Sequence, residues 1–331
     1  MSPRFERRAV VVFLLLAFFA LAPVVASILD QPFYIGQFRR ILIFAIVAVS
    51  LDLILGYGGM VSLGHAAFFG LGAYVVGILN YHARAETLLL GLLPGSRNIL
   101  ITWPAAIAVS AGLAALIGVV SLRTSGIYFI MITLAFAQMI YFFFVSLEAY
   151  GGDNGLRFPG DTSILGLFDT RNDVAFYYFV FAVFLALLYL CQRLVHSRFG
   201  MVVQGVRDNE RRMRAIGFAT FRYRLVCFTI AGAIAGLAGA IFAAQESFIS
   251  PSIMHWTRSG ELIVMVVMGG MATLVGPVVG ATVFLLLERF LPDYTSHWML
   301  VFGPILVLIV LFARRGIYGL FRPAEGTHGV G

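Results

Sequence analysis

Long apolar runs recur along the whole chain, at positions 9–29, 41–55, 62–79, 99–120, 127–147, 174–195, 225–249, 261–287 and 298–312. A helix needs about 20 apolar residues to cross the hydrocarbon core of a bilayer. Runs of that size therefore leave the chain little choice but a bundle of membrane-crossing helices. Hydrophobic residues make up 60% of the 331 and charged ones only 12%, too few to cover a soluble surface of this size. An outer-membrane barrel would instead show short alternating segments. The expected fold is all-α, a polytopic helical membrane protein with about eight to ten crossings, forming one membrane-embedded domain over residues 1–331.

Every one of the 23 basic residues is Arg; the sequence has no Lys. A P-loop needs its Lys, and Schiff-base chemistry needs one too. If ATP drives this protein, another chain must bind it. Cys191 and Cys227 sit in separate apolar runs without metal-ligand spacing, and read as small packing residues. No paired carboxylates, Ser/His/Asp set or metal cluster appears at useful spacing. The expectation is a protein with no catalytic residue, no metal and no cofactor. The 31 Phe read as lipid-facing and packing surface, with no nucleic-acid partner.

Arg distribution sets the expected orientation. Loop 196–224 carries seven Arg against Asp208 and Glu210, net +5, and loop 148–173 carries five acids against two Arg, net −3. The first is expected in the cytoplasm and the second outside. Counting back puts the N-terminus, with Arg4, Arg7 and Arg8, inside. The first run is long enough to be read as an uncleaved span rather than a signal peptide. Arg39 and Arg40 then fall outside, against the rule. Run 261–287 must break and turn back if Arg314, Arg315 and the C-terminus are to lie inside. It carries the residues for a break in Gly269-Gly270-Met271-Ala272-Thr273-Leu274-Val275-Gly276-Pro277. Non-helical backbone at that depth has to be buried in protein or line a cavity.

That segment echoes Gly58-Gly59-Met60-Val61-Ser62-Leu63-Gly64. Gly/Pro-interrupted segments in corresponding halves point to a transporter's substrate path. Five crossings between the two copies would make them an inverted repeat. Recurrent Gly-rich helix packing is the plainer alternative. Between runs 174–195 and 225–249 lies a charged island. In it Val203, Val206, Glu210, Met213 and Ile216 recur at helical spacing, giving one mostly apolar face over 204–217. Glu210 reads as an exposed acid on that helix. Asp208 and Glu210 precede Arg211, Arg212 and Arg214, as the helix dipole favours, and Gly217 is placed to end the helix with φ > 0.

The segment from Leu51 to Tyr74, containing Gly56-Tyr57-Gly58-Gly59-Met60-Val61-Ser62-Leu63-Gly64-His65-Ala66-Ala67-Phe68-Phe69-Gly70, resembles the LivM-type permeases of branched-chain amino acid ABC transporters. The likeness continues through Gly126-Ile127-Tyr128-Phe129, Ile132-Thr133-Leu134-Ala135, Gly151-Gly152-Asp153-Asn154-Gly155-Leu156, Arg207-Asp208-Asn209-Glu210 and Gly269-Gly270-Met271 with Gly276-Pro277, in family order over about residues 41–316. Tyr150 departs from the expected Thr. The resemblance implies an importer with a second homologous permease, two cytoplasmic ATP-binding subunits and an external substrate-binding protein, in a bacterial inner membrane. It also implies that loop 196–224 is the coupling loop, with Arg207, Asp208, Asn209, Glu210 and Gly217 meeting an ATPase, and that substrate passes where the two permeases meet.

Intramembrane polar residues supply the candidates for that path, because an ionisable group in lipid costs about 2.5–3.5 kcal/mol on insertion scales and so faces a cavity or a partner. They are Asp52, Ser62, His65, Gln138 and Gln245, with Glu246 beside them, and Gly64 lies between Ser62 and His65 on the same path. His65, Gln138 and Gln245 also have a plainer reading as polar ties between helices. The Gly151–Gly155 turn would gate or meet the binding protein, or is ordinary turn chemistry. Branched-chain or related amino acids are the expected cargo, with urea or short amides as the alternative. A secondary transporter coupled to protons through Asp52, His65 or Glu246 is a further rival, and a membrane enzyme would need a catalytic set that the sequence lacks.

Overall fold

The computed structural model describes residues 3–28, 33–89, 93–158, 163–164, 168–169, 172–294, 297–312 and 316–320. Its helices are α1 (Pro3–Ile28), α2 (Phe33–Asp52), α3 (His65–Ala85), α4 (Ile99–Ser121), α5 (Ile127–Ser146), α6 (Asp173–Val195), α7 (Arg198–Ala215), α8 (Thr220–Glu246), α9 (Trp256–Gly269), α10 (Gly276–Tyr294), α11 (Trp298–Phe312) and α12 (Ile317–Leu320). Among the described residues, strand structure is confined to three two-stranded ladders of two residues a strand. Among the described residues five helices, α3, α4, α5, α6 and α8, are long and apolar enough to cross a membrane. The protein is a multi-pass helical membrane protein. Arg314, Arg315 and residues 321–331 lie outside the described residues, as do the side chains of Arg4, Arg7 and Arg8.

Local chemistry explains several of the contacts. Pro23 inside α1 has no N–H, so the Phe19 carbonyl four residues back loses its helical donor. The Tyr177 hydroxyl of α6 donates to it at 2.7 Å, and Tyr178 donates to the next carbonyl, Ala20, at 3.2 Å. The proline gap thereby becomes a tie between α1 and α6. Helices α3 and α8 run parallel in close contact, with Gly72 against the backbone of Gly236 and Gly77 beside Ile249. A side chain on Gly72 or Gly239 would run into opposing backbone, the close approach that small residues permit in membranes. Helix α4 runs antiparallel to α8, with Ser110 at Gly236 and Leu225 at Gly118.

Of the two arginines that strain the expected orientation, Arg39 is buried and Arg40 is half-buried. Arg39 is 6% exposed. Its Nη1 donates to Asp173 at 3.2 Å, its Nε donates to Gln245 at 3.1 Å, and its guanidinium lies over the Phe176 ring. Arg40 pairs with Glu288 at 3.9 Å. Asp173 opens α6 and Gln245 lies near the end of α8, so these contacts fix one end of the bundle.

At the opposite end, where α7 lies, both Gly-rich segments break their helices. Helix α2 widens into a π-helical turn at Leu53–Tyr57, and the chain continues without regular structure to Gly64 before α3 begins. Helix α9 stops at Gly269 and α10 starts at Gly276. They form an antiparallel hairpin, Gly269 packing on the Gly276 backbone and Gly280 on the Met265 carbonyl. Run 261–287 therefore does break and turn back. The inverted relation expected for the two echoed segments needs correction. The turn of the second segment reaches the same end as the first and touches it, through Ala272 and Asp52. In each segment a helix arrives at the α7 end and another leaves it, so this pair has the same sense, not the opposite one. The physical reason is that the chain from Ser247 through Pro251–Met254 into α9 makes a full return from the Arg39 end, a crossing that the five-crossing count omits.

Candidate functional site

Three elements meet at the α7 end. The Asp52 carboxylate closes α2, and its Oδ1 accepts from the Ala272 amide in the turn of the α9–α10 hairpin at 2.9 Å. Arg207 of α7 donates from Nη1 to the Gly56 carbonyl of the π turn at 2.7 Å. A π turn leaves backbone groups poorly paired, and an arginine donor satisfies one of them. The two bonds lie side by side, because Gly56 sits against both Asp52 Oδ1 and the Ala272 amide, where any side chain would collide. The stem of Arg207 packs on Gly59, and its remaining nitrogens hold Asp208 at 3.0–3.1 Å. Asp52 Oδ2 is buried with no hydrogen-bond partner among the described residues. Sequence reasoning had placed Asp52 on a substrate path and Arg207 on an ATPase surface; here they converge.

The other path candidates are distributed differently. His65 is wholly buried at the start of α3, and its Nε2 lies 2.7 Å from the Ser50 hydroxyl. Ser62 is also wholly buried, accepting from the Gly64 amide. Gly64 packs on the Thr133 carbonyl, and the Thr133 hydroxyl accepts from the Leu63 amide at 3.3 Å. The Ser259 hydroxyl of α9 accepts from the Ala66 amide at 3.0 Å. The free amides opening α3 are thus taken up by α5 and α9, which lets irregular backbone persist inside a membrane bundle. Gln138 on α5 is half-buried, and its Nε2 is buried without a partner among the described residues. Gln245 is at the far end, engaged by Arg39, the Gly36 carbonyl and Glu246. Ser50 and Ser259 give no sequence signal, since a hydroxyl in an apolar run is common, and Thr133 stands out only as part of the Ile132–Ala135 motif.

The island is helical, as expected, but not one helix. Asn209 leaves helical geometry at φ −159° and ψ 94°. Its Oδ1 accepts from the Arg212 amide at 2.9 Å, the bond of an N-cap, so the last turns of α7 start anew there. The kink separates Val202, Val203 and Val206, which are buried, from Ile216, which is 64% exposed. The single apolar face over 204–217 is thus corrected to two. Glu210 is corrected as well. It is no free exposed acid, because it accepts from Arg214 at 2.6 Å and Thr220 at 3.2 Å and pairs with Arg224 at 3.5 Å. Those contacts pin the second half of α7 to the start of α8. Gly217 has φ +96° and nothing within 4 Å of where a side chain would begin. The Phe218 amide reaches back to the Met213 carbonyl at 3.1 Å, the closing bond of a glycine C-cap.

Two concave regions flank the island. One, about 630 Å³, is lined by Arg198, Phe199, Met201, Met213, Phe218 and Tyr223. The other, about 720 Å³, lies between α1, α6, α7 and the hairpin turn, with Tyr57, Gln192, Gln204 and Thr273 among its walls. Tyr150, where the resemblance leads one to expect Thr, places its hydroxyl 3.0 Å from His82 Nε2, tying the 148–155 turn to the end of α3. No group of three or more metal-ligating side chains occurs among the described residues.

Residues 33–311 match the family described as "Branched-chain amino acid transport system / permease component". The chain is 28% identical over 305 residues to the high-affinity branched-chain amino acid permease LivM of Salmonella typhimurium, covering 85% of this chain and 69% of that protein. It is 22% identical to LivH of Escherichia coli K12, covering 83% and 91%. It is also 26% identical over 209 residues to the autoinducer 2 import permease LsrC of Salmonella paratyphi B, covering 60% and 52%. No solved structure matches it. With a family match spanning the bundle from α2 to α11, and with both Gly-rich breaks and the kinked island inside that span, the chain belongs to the branched-chain amino acid ABC-importer permeases and is a transport subunit.

Proposed function

We propose that this chain pairs with a second, homologous permease in a bacterial inner membrane and moves branched-chain or related amino acids inward. ATP is hydrolysed on two separate cytoplasmic chains, and an external binding protein delivers the substrate at the 148–173 end. The observation that carries the ATPase contact is the surface of the island. Met201, Ile216 and Phe218 are exposed there, beside the groove of Phe199, Met213 and Tyr223. A purely electrostatic cytoplasmic loop would explain the arginines but not an apolar groove. Asn209 and Gly217 shape that surface, Asp208 projects from it, and Arg207 and Glu210 hold it to the bundle.

The path runs past the first break and α5. Asp52, Ser62, Gly64 and His65 shape its wall from within. Gln138, whose amide nitrogen has no partner among the described residues, is the candidate for direct contact with substrate, and Gln245 lies toward the entrance. LsrC, a permease for a different small molecule, supports leaving the choice of cargo, urea and short amides included, to the binding protein. An ion-coupled carrier would require Asp52, His65 or Glu246 to trade protons during transport.

Reconstitution tests the reading. The purified chain should hydrolyse no ATP. Proteoliposomes containing it with the second permease, the two ATPases and the binding protein should take up leucine, isoleucine or valine only with ATP. ATP hydrolysis by the single chain, or uptake driven by a proton gradient without ATPases, would overturn it.

A further inference from the structure

The bonds at the α7 end are mutually dependent. Asp52 Oδ1 holds the hairpin turn through the Ala272 amide. Arg207 holds the π turn through the Gly56 carbonyl. Gly56 lies between them, against Asp52 Oδ1 and the Ala272 amide together. A shift of α7 that carries Arg207 must pull the Gly56 carbonyl with it or break a charge-assisted hydrogen bond. A shift of Gly56 must in turn disturb the Asp52–Ala272 bond, because there is no free space between them. Gly316, which precedes α12, rests on the backbone of Gly269 and Gly270, so the far side of the turn is also braced.

We infer that Asp52 and Arg207 form an internal clamp that fastens both Gly-rich breaks to α7, so that the two breaks move with the island as one body. Arg207 is then a positioning residue facing its own chain, not a docking residue facing an ATPase. This inference deepens the importer reading and rests on it for its transport consequences. The clamp itself exists in the isolated chain and can be read there. The geometry explains why an arginine is useful at 207: its fork spans the Gly56 carbonyl and Asp208 at once.

The test has two arms. In the solubilised full chain, amide hydrogen exchange is followed at residues 56–60 and 270–275. Arg207→Met, which keeps the stem on Gly59, should speed exchange at least tenfold in both segments, although its lost bond touches only the first. Asp52→Ala should do the same. Asp52→Asn, which keeps an acceptor for the Ala272 amide, and Arg207→Lys, which keeps a donor, should recover most of the protection. Thermal unfolding of each variant checks that the bundle is folded. In the reconstituted complex, Arg207→Met should still co-purify with the ATPases and hydrolyse ATP within twofold of the parent, while uptake falls at least tenfold. The Arg207→Met/Asp52→Ala double variant should lose no more uptake than the worse single one, as expected for two residues in one unit. Unchanged exchange at 270–275 in Arg207→Met overturns the clamp, whatever the complex does. So does loss of ATPase co-purification in that variant, or losses that multiply in the double variant. Absence of ATP-driven uptake by the parent complex overturns the importer reading instead, and leaves the exchange result to judge the clamp alone.

Discussion

Gly217 shows how much one backbone angle can decide. Its φ of +96° ends α7, and among the described residues nothing beyond its chain neighbours lies within 4 Å of the position a side chain would take. Substitution there costs only backbone strain, with no steric clash to confuse the result. A β-branched residue in this region is unfavourable by about 1–2 kcal/mol, while Asn tolerates it better. Gly217→Val should therefore lower the unfolding midpoint of the solubilised chain and reduce coupled uptake, and Gly217→Asn should sit close to the parent in both. If the two variants behave alike, the cap does not control the island. His65 makes a different residue-scale case. It is buried and bonded to Ser50, so His65→Ala loses a tie between α2 and α3 without touching the α7 surface. The complex should assemble, and uptake should fall more than ATP hydrolysis. Equal losses of both would mean that His65 serves assembly, not the path.

At the scale of elements, the kink in α7 was the part least visible in the sequence. Helical spacing identified an amphipathic segment, and Gly217 marked its end, because both signals are local. Asn209 reads as one polar residue among several until its φ and its bond to the Arg212 amide are seen. Glu210 looked exposed for the same reason. Its partners Thr220 and Arg224 belong to the next helix, and a helical wheel drawn on one segment cannot contain them. The breaks in α2 and α9–α10 were legible from Gly and Pro clusters, and their ends matched within a few residues. Their shared orientation is not legible, because it depends on whether the chain from Ser247 to the end of α9 returns across the bundle, and the first part of that return, Ser247–Met254, has no long apolar run. Likewise Asp52 and Arg207 were both singled out, but their convergence is a tertiary fact. The Glu210 cluster makes a prediction that replaces the expectation of a neutral surface change. Glu210→Ala strands Arg224, whose side chain is only 13% exposed, and frees the second half of α7. A double-mutant cycle with Arg224→Met should give a coupling of about 1 kcal/mol or more in thermal unfolding, within the range for residues in one network. Coupling near zero would return Glu210 to the role of a surface acid.

At the scale of the whole molecule, orientation rests on the difference between the two ends. Loop 196–224 has a net charge of +5 and loop 148–173 a net charge of −3. The positive-inside rule counts Lys and Arg near the ends of the spans and gives Asp and Glu little weight. Arg39 and Arg40 count against the assignment at the 148–173 end, where they bond Asp173, Gln245 and Glu288 within the bundle, but loop 196–224 carries seven Arg and loop 148–173 only two. On that count residues 148–173 should face outward, and the island, the clamp and both Gly-rich breaks should face the cytoplasm. Single cysteines at Asp153 and Arg212 test this, because both positions are exposed. The native Cys191 and Cys227 are buried, so their background labelling should be low. In intact spheroplasts an impermeant maleimide should modify Asp153→Cys at once and Arg212→Cys only after the membrane is permeabilised. The reverse pattern would invert the whole reading, placing the apolar groove of α7 where no cytoplasmic ATPase reaches it. Labelling of both from outside would mean that an odd number of crossings does not separate them, against the single crossing by α6 that the fold puts between these two loops.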